Sequence, residues 1–551
     1  MSSSRRLIGL AAAVLLMASA CGKSNAPSTT SAGQAGATTT KATTGGAASD
    51  SIVVGTTDSL QNSFDPAQAY DYFGSEVVFN SAETLVTFAP NETKVSPLLA
   101  KALPKISDDA LTYTFDLRDG VKFTDGTTMD SAAVKFSLER AKAFGDKDSE
   151  SAGFLLAGIK SIDTPSPTQV VITLDKPNVT FLSRLAYSVA SIISPAAYKN
   201  NVLSGSEDEK TAVTKYKSDT IVATGRYKLK AYKEKESLEF EANPDYWGDK
   251  PKTKRVLVRL YDKSSALKLA LQNHEVDAAF RTLQPDETAF FKSQTGFKVV
   301  EGEGPGIRYL VFQTTTKPWD NPDMRRAVAA AVNRQPVIDE ILKGTAKPLP
   351  SMIPTSFDTF EPKWTQLYGD GTAKDKVDSY LKAAGVPEGQ KVDVDFWFSP
   401  THYGDTEAGV AQVMARALEA TGRFNVKISN VEWAEYGKKR KAGEMPVFLM
   451  GWYPDYLDED DYLEPFANPK LFDPAKWEDQ KMLDLVAQQQ KEVDASKRKT
   501  VIKDAQSYMA DQAPYVPVFQ ISQFASTSDK VSGVTLDASQ IFRYWLLEKK
   551  G

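Results

Sequence analysis

Tyr113, Phe115 and Leu117 alternate with Thr112, Thr114, Asp116 and Arg118, the period of a strand with one buried face. Asp119-Gly120 follows as a turn signal, and residues 121–123 (Val-Lys-Phe) are expected to return as the second arm of a hairpin. Thr124-Asp125-Gly126 turns again. Asp130 is placed to cap a helix whose Val134, Leu138 and Ala141 share one face. Residues 51–56 (Ser-Ile-Val-Val-Gly-Thr) read as a first buried strand. Between Gly409 and Gly422, apolar Val410, Val413, Met414, Ala417 and Leu418 recur at spacings of three and four, an amphipathic helix that Gly422 closes. Residues 481–512 hold one or two more helices, with Met482, Leu485 and Val486 inward. Strand and helix patterns alternate irregularly and without internal repeat, as in an α/β protein of several lobes.

A chain of 551 residues is long enough for two or more lobes with real cores. The net charge of −5 argues against a nucleic-acid partner, which calls for a basic patch. The single cysteine excludes an intrachain disulfide. Its position is informative. Arg5-Arg6 precede an apolar run over 7–20, shorter than the roughly 20 residues a spanning helix needs, and residues 1–20 read as a signal peptide. Ser4-Arg5-Arg6 leaves general and twin-arginine export both open. Ala18-Ser19-Ala20 before Cys21-Gly22 looks like a bacterial lipobox, with Ala18 where leucine is usual; the alternative is plain cleavage after Ala20, leaving Cys21 a free thiol. Residues 21–50 are rich in Ser, Thr, Gly and Ala and read as a flexible linker. A lipidated Cys21 on such a leash would hold the folded part at the outer face of the cytoplasmic membrane, in the cell envelope. No other segment is long and apolar enough to span a bilayer, so the chain is not expected to be a channel itself.

The residues offer little chemistry. There are two histidines: His274 in a turn, read as exposed, and His402 in a loop that either faces solvent or faces a cleft. No G-x-S-x-G elbow, H-E-x-x-H helix or P-loop lysine motif occurs, so no enzyme and no cofactor are expected. Carboxylates cluster once, at Asp455, Asp458, Glu459, Asp460, Asp461 and Glu464. The spacing of a calcium loop is missing, so no metal is expected, and an acidic run alone does not make a glycosidase pair. Most of the run is read as a solvated loop and helix start. Asp455 is set apart because it follows the apolar stretch 447–452, at a strand end where a cleft would open.

A series of short blocks carries a resemblance. It runs through Ser63-Phe64-Asp65-Pro66, Ala82-Glu83-Thr84-Leu85-Val86 and the stretch 111–140, then Thr224-Gly225-Arg226-Tyr227 and Asn243-Pro244-Asp245-Tyr246-Trp247-Gly248. Pro322-Asp323-Met324-Arg325-Arg326-Ala327, Gly451-Trp452-Tyr453-Pro454-Asp455-Tyr456 and Ala513-Pro514-Tyr515-Val516-Pro517 complete it. In this order they resemble the family 5 extracellular solute-binding proteins, receptors of peptide, dipeptide and nickel importers of the ATP-binding-cassette type. The resemblance implies an α/β, two-lobed, periplasmic-binding-protein-like fold with an extra inserted domain and a ligand cleft between the lobes. Lobe one would comprise 51–93, 221–308 and 522–551, the insert 94–220, and lobe two 309–521. The chain would cross between lobes near Gly304-Pro305-Gly306 and over 519–524, an arrangement suited to hinge closure.

The same resemblance implies the site. In receptors with a W-x-x-D-Y segment the matching aspartate, here Asp455, pairs with the ligand's α-ammonium. The backbone of Gly451, Trp452 and Tyr453 would pair with a bound peptide as an added strand, and Asn62 and Ser63 would do so from the facing lobe. Trp452 is equally read as core or as ligand platform. Dipeptide receptors fix the ligand carboxylate with an arginine, and Arg308, Arg416, Arg423 and Arg440 remain open for that role. Expected partners are a peptide, a membrane permease and a separate ATPase subunit, with the chain a monomer that touches the membrane only through its lipid. A nickel-chelate, haem or sugar receptor, or a sensor, is the alternative.

Overall fold

The computed structural model describes residues 49–60, 63–147, 151–198, 221–400, 402–469, 471–472 and 474–551. The expected signal peptide, Cys21, most of the linker and Asn62 lie outside the described residues.

The stretch expected as the first buried strand is Ser51–Thr56, and it lies between two parallel neighbours, Arg255–Leu260 and Ala278–Phe280. Flanked on both edges, it is buried throughout its second half. Beyond Arg255–Leu260 come Ser237–Ala242 and Tyr227–Lys233 in antiparallel order. On the far side of the same sheet lie Val447–Trp452, Val392–Phe398 and Phe424–Asn430. Two long antiparallel strands, Phe297–Phe312 and Tyr515–Ser528, join these halves, so the two lobes share one eleven-stranded sheet among the described residues.

The crossing pair is irregular at two places, a one-residue shift between Arg308↔Phe519 and Tyr309↔Pro517 and a longer lapse before it. Its ladder runs from Phe297↔Ser528 to Glu303↔Ser522, lapses, and resumes at Ile307↔Gln520. The lapse is Gly304-Pro305-Gly306. A Cβ at Gly304 would stand 2.2 Å from the Ile521 carbonyl oxygen, and one at Gly306 would stand 2.8 Å from the Tyr453 ring. Glycine is required there by close approach, at the point where the pleat is interrupted.

The stretch 105–174 forms a separate four-stranded sheet in the order Lys105–Ile106, Thr112–Asp116, Gln169–Leu174, Ile159–Ser166. Tyr113 and Phe115 point inward, as their alternation requires. The expected hairpin partner is corrected. Both edges of Thr112–Asp116 are occupied by Lys105–Ile106 and Gln169–Leu174, so residues 121–123 cannot return beside it. They form their own small hairpin instead: Met129 N–H donates to the Val121 carbonyl and Phe123 N–H to that of Thr127, both at 2.9 Å. Asp130 then caps the helix Ser131–Lys147 as expected, its Oδ1 accepting from Ala133 N–H at 2.9 Å. The hairpin of Val86–Phe88 with Val95–Pro97 lies across the expected 93/94 boundary.

The other expected helices are Glu407–Ala420, closed by Gly422 at φ +74°, and the pair Gln480–Lys491 and Ala495–Gln512. The sequence blocks meet one another in space. Asp65 and Arg140 form a fully buried ion pair. Arg325 donates to the carbonyls of Trp319 and Gln512, which ties its helix to the end of the helix that leads into the second crossing strand. Glu83 accepts from Tyr246 (2.6 Å), Trp247 (2.8 Å) and Thr224 (2.8 Å), joining three blocks in one knot. One cluster of buried apolar side chains includes both the Phe115 sheet and the Leu449 side of the large sheet; a second surrounds Val54, Phe240 and Val258.

Candidate ligand cleft

A cavity of about 1010 Å³ opens where the crossing strands lapse, walled on one side by Asp58, Tyr72, Glu76 and Arg281 and on the other by Arg308, Tyr403, Glu407, Tyr453 and Asp455. Asp455 stands three residues beyond the strand Val447–Trp452, at the strand end the sequence predicts. It is half-buried. Its Oδ1 accepts from the Tyr70 hydroxyl at 2.8 Å, and among the described residues its Oδ2 has no donor. Burial raises its carboxyl to about 6, against the opposing pull of the Tyr70 hydroxyl and the more distant Arg184. An unpaired, partly desolvated carboxylate on a cavity wall favours a cationic ligand group, which would restore the lost stabilisation.

The remainder of the acidic run departs from expectation. Asp458, Asp460 and Asp461 are buried rather than solvated. Asp460 accepts from Tyr456 (2.7 Å), Gln489, Gln490 and Arg184, and Asp458 pairs with Arg498. Asp461 Oδ2 accepts the Asp455 N–H at 2.7 Å and the Trp452 indole N–H at 3.3 Å, which orients the Asp455 loop. Burial, then the neighbouring Asp455 charge, pushes Asp461 well above the usual carboxylate range. A run of charges was read as surface because composition does not reveal the cations and amides, Arg184, Arg498, Gln489 and Gln490, that fold over it.

Of the other expected site residues, Tyr453 lines the cavity, whereas Gly451, Trp452 and Ser63 do not. Gly451 pairs with Arg308 across the sheet, and its carbonyl receives the Tyr403 hydroxyl at 3.3 Å. Trp452 packs on Phe466 and Phe472, with ring centroids at 5.4 and 5.1 Å. Ser63 accepts from Asp65 N–H, shaping its own turn. Among the four arginines left open, only Arg308 lines the cavity. Arg416 pairs with Glu340 and Arg423 with Asp378, while Arg440 lies over Phe472. Arg308 pairs with Glu407, and among the described residues its Nε and Nη1 are buried without partners beneath the Tyr403 ring, 3.7 Å from the guanidinium carbon.

His402 does face the cleft. It is an exposed residue on the cleft rim that stacks on Trp433 with centroids 3.5 Å apart; partial desolvation with Arg308 nearby lowers it to about 4, so it is neutral at physiological pH. His274 is exposed and stacks on Phe297. Sequence reasoning missed three cleft groups: Asp58, Glu76 and Arg281. Arg281 donates to Asp58 at 2.6 Å, lies 3.5 Å over the Tyr72 ring, and has a left-handed backbone at φ +67°. Each lies at a strand end or inside an ordinary helix, with no local pattern that marks it.

The chain's similarities to known proteins run through this fold. It is 26% identical over 477 residues to the "Dipeptide-binding protein" of Escherichia coli (strain K12), covering 82% of this chain and 86% of the relative. It is 27% identical over 482 residues to "Heme-binding protein A" of Haemophilus influenzae, covering 83% of this chain and 84% of the relative. Among solved structures, a periplasmic binding protein from Helicobacter pylori in complex with peptide STSA superposes with a TM-score of 0.73 at 24% identity, covering 91% of this chain and 98% of that one. Residues 94–472 match the family described as bacterial extracellular solute-binding proteins, family 5, middle region. With that match over most of its length and the two-lobed sheet around the cleft, the chain belongs to the family 5 bacterial extracellular solute-binding proteins.

Proposed function

We propose that this chain is the receptor of an importer that captures peptides by their α-ammonium at Asp455 and delivers them to a membrane permease driven by a separate ATPase. The carrying observation is the half-buried Asp455 carboxylate, held by Tyr70 through one oxygen and open at the other, on the wall of the cavity. A relative named for dipeptides and a similar structure holding the peptide STSA support the same ligand class. The chain acts by binding and closure, without covalent chemistry, as a monomer.

In this reading lobe one is 51–93, 221–308 and 522–551, the insert 94–220 and lobe two 309–521; the lapse at Gly304-Pro305-Gly306 supports a hinge there. A lipid on Cys21 tethers the receptor to the outer face of the cytoplasmic membrane. Among the described residues no helix is long and apolar enough to cross one. Cys21→Ala is expected to release the protein from membranes or leave it unprocessed.

Native mass spectrometry of the protein purified from its own cells tests the ligand class. Co-purified masses that fragment as peptides are expected. A haem, a metal chelate or a sugar in their place overturns the peptide reading.

A further inference from the structure

Each cation of the cleft already faces a carboxylate that balances its charge. Its lining carries five carboxylates, Asp58, Asp71, Glu76, Glu407 and Asp455, against two arginines. Arg281 is paired bidentately with Asp58, at 2.6 and 3.3 Å. Arg308 is paired with Glu407 and roofed by Tyr403. Neutral His402 adds no charge. Asp71 caps the helix Tyr72–Ser81, its Oδ1 accepting from Gly74 N–H at 2.8 Å. That leaves Asp455 on one wall and Glu76 on the other.

Glu76 is only 5% exposed, yet it lines the cavity. One oxygen accepts the Tyr544 hydroxyl; the other has no donor among the described residues. The groups around it are Tyr72 on its own helix, Asp58 beyond the strand Ser51–Thr56, Arg281 beyond Ala278–Phe280, and Tyr544 from the carboxy-terminal segment. Asp58 opposes its ionisation more than Arg281 assists it, as expected for an arginine already held by Asp58. Burial, the largest effect, raises the Glu76 carboxyl to about 8, so the resting group is a neutral acid at pH 7. A buried acid with one open oxygen on a cavity wall becomes a strong acceptor when a cation arrives and its proton leaves to solvent.

The spacing suits one ligand spanning both acids. Tyr70, which donates to Asp455, precedes by two residues the helix that carries Glu76. Glu76 sits one turn into that helix and lines the same cavity as Asp455, so a peptide anchored at Asp455 can direct a lysine or arginine side chain to it. Resting on the peptide reading above, we propose that Glu76 is a side-chain subsite for a cation, and that the ligand is a peptide bearing a basic side chain, its α-ammonium on Asp455 and its side-chain cation on Glu76.

The test is titration calorimetry at pH 7 with a set of tripeptides carrying lysine at each position in turn, each compared with its norleucine counterpart. At one position lysine should bind at least about tenfold tighter than norleucine, roughly 1.4 kcal/mol. Binding of that lysine peptide should also release close to one extra proton, read from the dependence of the heat on buffer ionisation. In Glu76→Gln the lysine-to-norleucine ratio should fall to about one and the extra proton should disappear. Should that variant fail to fold, the wild-type ratio and proton count decide alone. Equal or tighter norleucine binding at every position, or a lysine preference that survives in Glu76→Gln, overturns the subsite while leaving the peptide reading intact. Binding of neither series overturns both.

Discussion

Glu76 and Glu83 lie seven residues apart, and both are at most 5% exposed, but their surroundings differ. Glu83 receives the Tyr246 hydroxyl and the Trp247 indole together with the Thr224 hydroxyl, and Arg226 stands 3.8 Å away. Glu76 receives the Tyr544 hydroxyl alone and opens onto the cleft. Burial opposes the charge of both. At Glu83 several donors and Arg226 offset part of the desolvation, and the acid serves as a knot that fixes three stretches of chain. At Glu76 it is not offset, and a ligand can supply what is missing. A buried acid's function is therefore read from its unfilled hydrogen-bonding capacity, not from its burial.

The contrast is sharpest in stability. Glu83→Ala leaves buried Tyr246, Trp247 and Thr224 donors without their acceptor, each costing about 1–3 kcal/mol. A loss of roughly 3–5 kcal/mol is expected in urea denaturation, whereas a loss below about 1 kcal/mol would mean water replaces the carboxylate. Glu76 should behave oppositely. A carboxyl raised from 4.5 to about 8 makes the folded state hold its proton more tightly, so stability falls as pH rises through that window. Ligand-free Glu76→Gln should match wild type to within about 1 kcal/mol near pH 5 and exceed it at pH 8.5 by roughly 3–4 kcal/mol. A pH-independent difference would show that Glu76 does not titrate in this range.

Smaller effects concern binding. Asp455, raised to about 6, must be ionised to hold an ammonium. Affinity for an alanine-only peptide should thus be greatest near neutral pH, fall by up to about tenfold per unit below pH 6 as Asp455 takes up its proton, and fall again above about pH 8 as the peptide's α-ammonium loses its own. The Tyr70 hydroxyl favours the ionised form, so Tyr70→Phe should move that transition to higher pH, with an affinity change within about tenfold at pH 7.5. Calorimetry across pH checks both, and an unmoved transition would detach Tyr70 from Asp455.

What was legible in the sequence follows from the same contrast. Blocks around Asp65, Glu83, Arg140 and Arg325 stand out because they make saturated, mutually dependent contacts, so they report the scaffold and, through it, the family. Asp455 was legible because an apolar strand points to it. Glu76, Asp58 and Arg281 were not, because the sheet brings together segments more than two hundred residues apart. The buried acids at 458–461 were misread for a related reason: their partners Arg184, Gln489 and Arg498 come from distant helices. Local periodicity identified the Ser131–Lys147 helix and its cap, but could not tell that Thr112–Asp116 would have both edges filled before residues 121–123 arrived.

The account depends most on Asp455 meeting the ligand's ammonium, and a thermodynamic cycle addresses this directly. Wild type and Asp455→Asn are titrated with one peptide and with its amino-terminally acetylated form. Removing one partner of a desolvated pair costs about 3–5 kcal/mol, less what water restores. Asp455→Asn should therefore weaken the free peptide by roughly 30- to 1000-fold, and acetylation should weaken wild type similarly. In the variant, acetylation should change little, because both alterations delete one interaction. Free peptide bound as tightly by Asp455→Asn as by wild type would contradict the account.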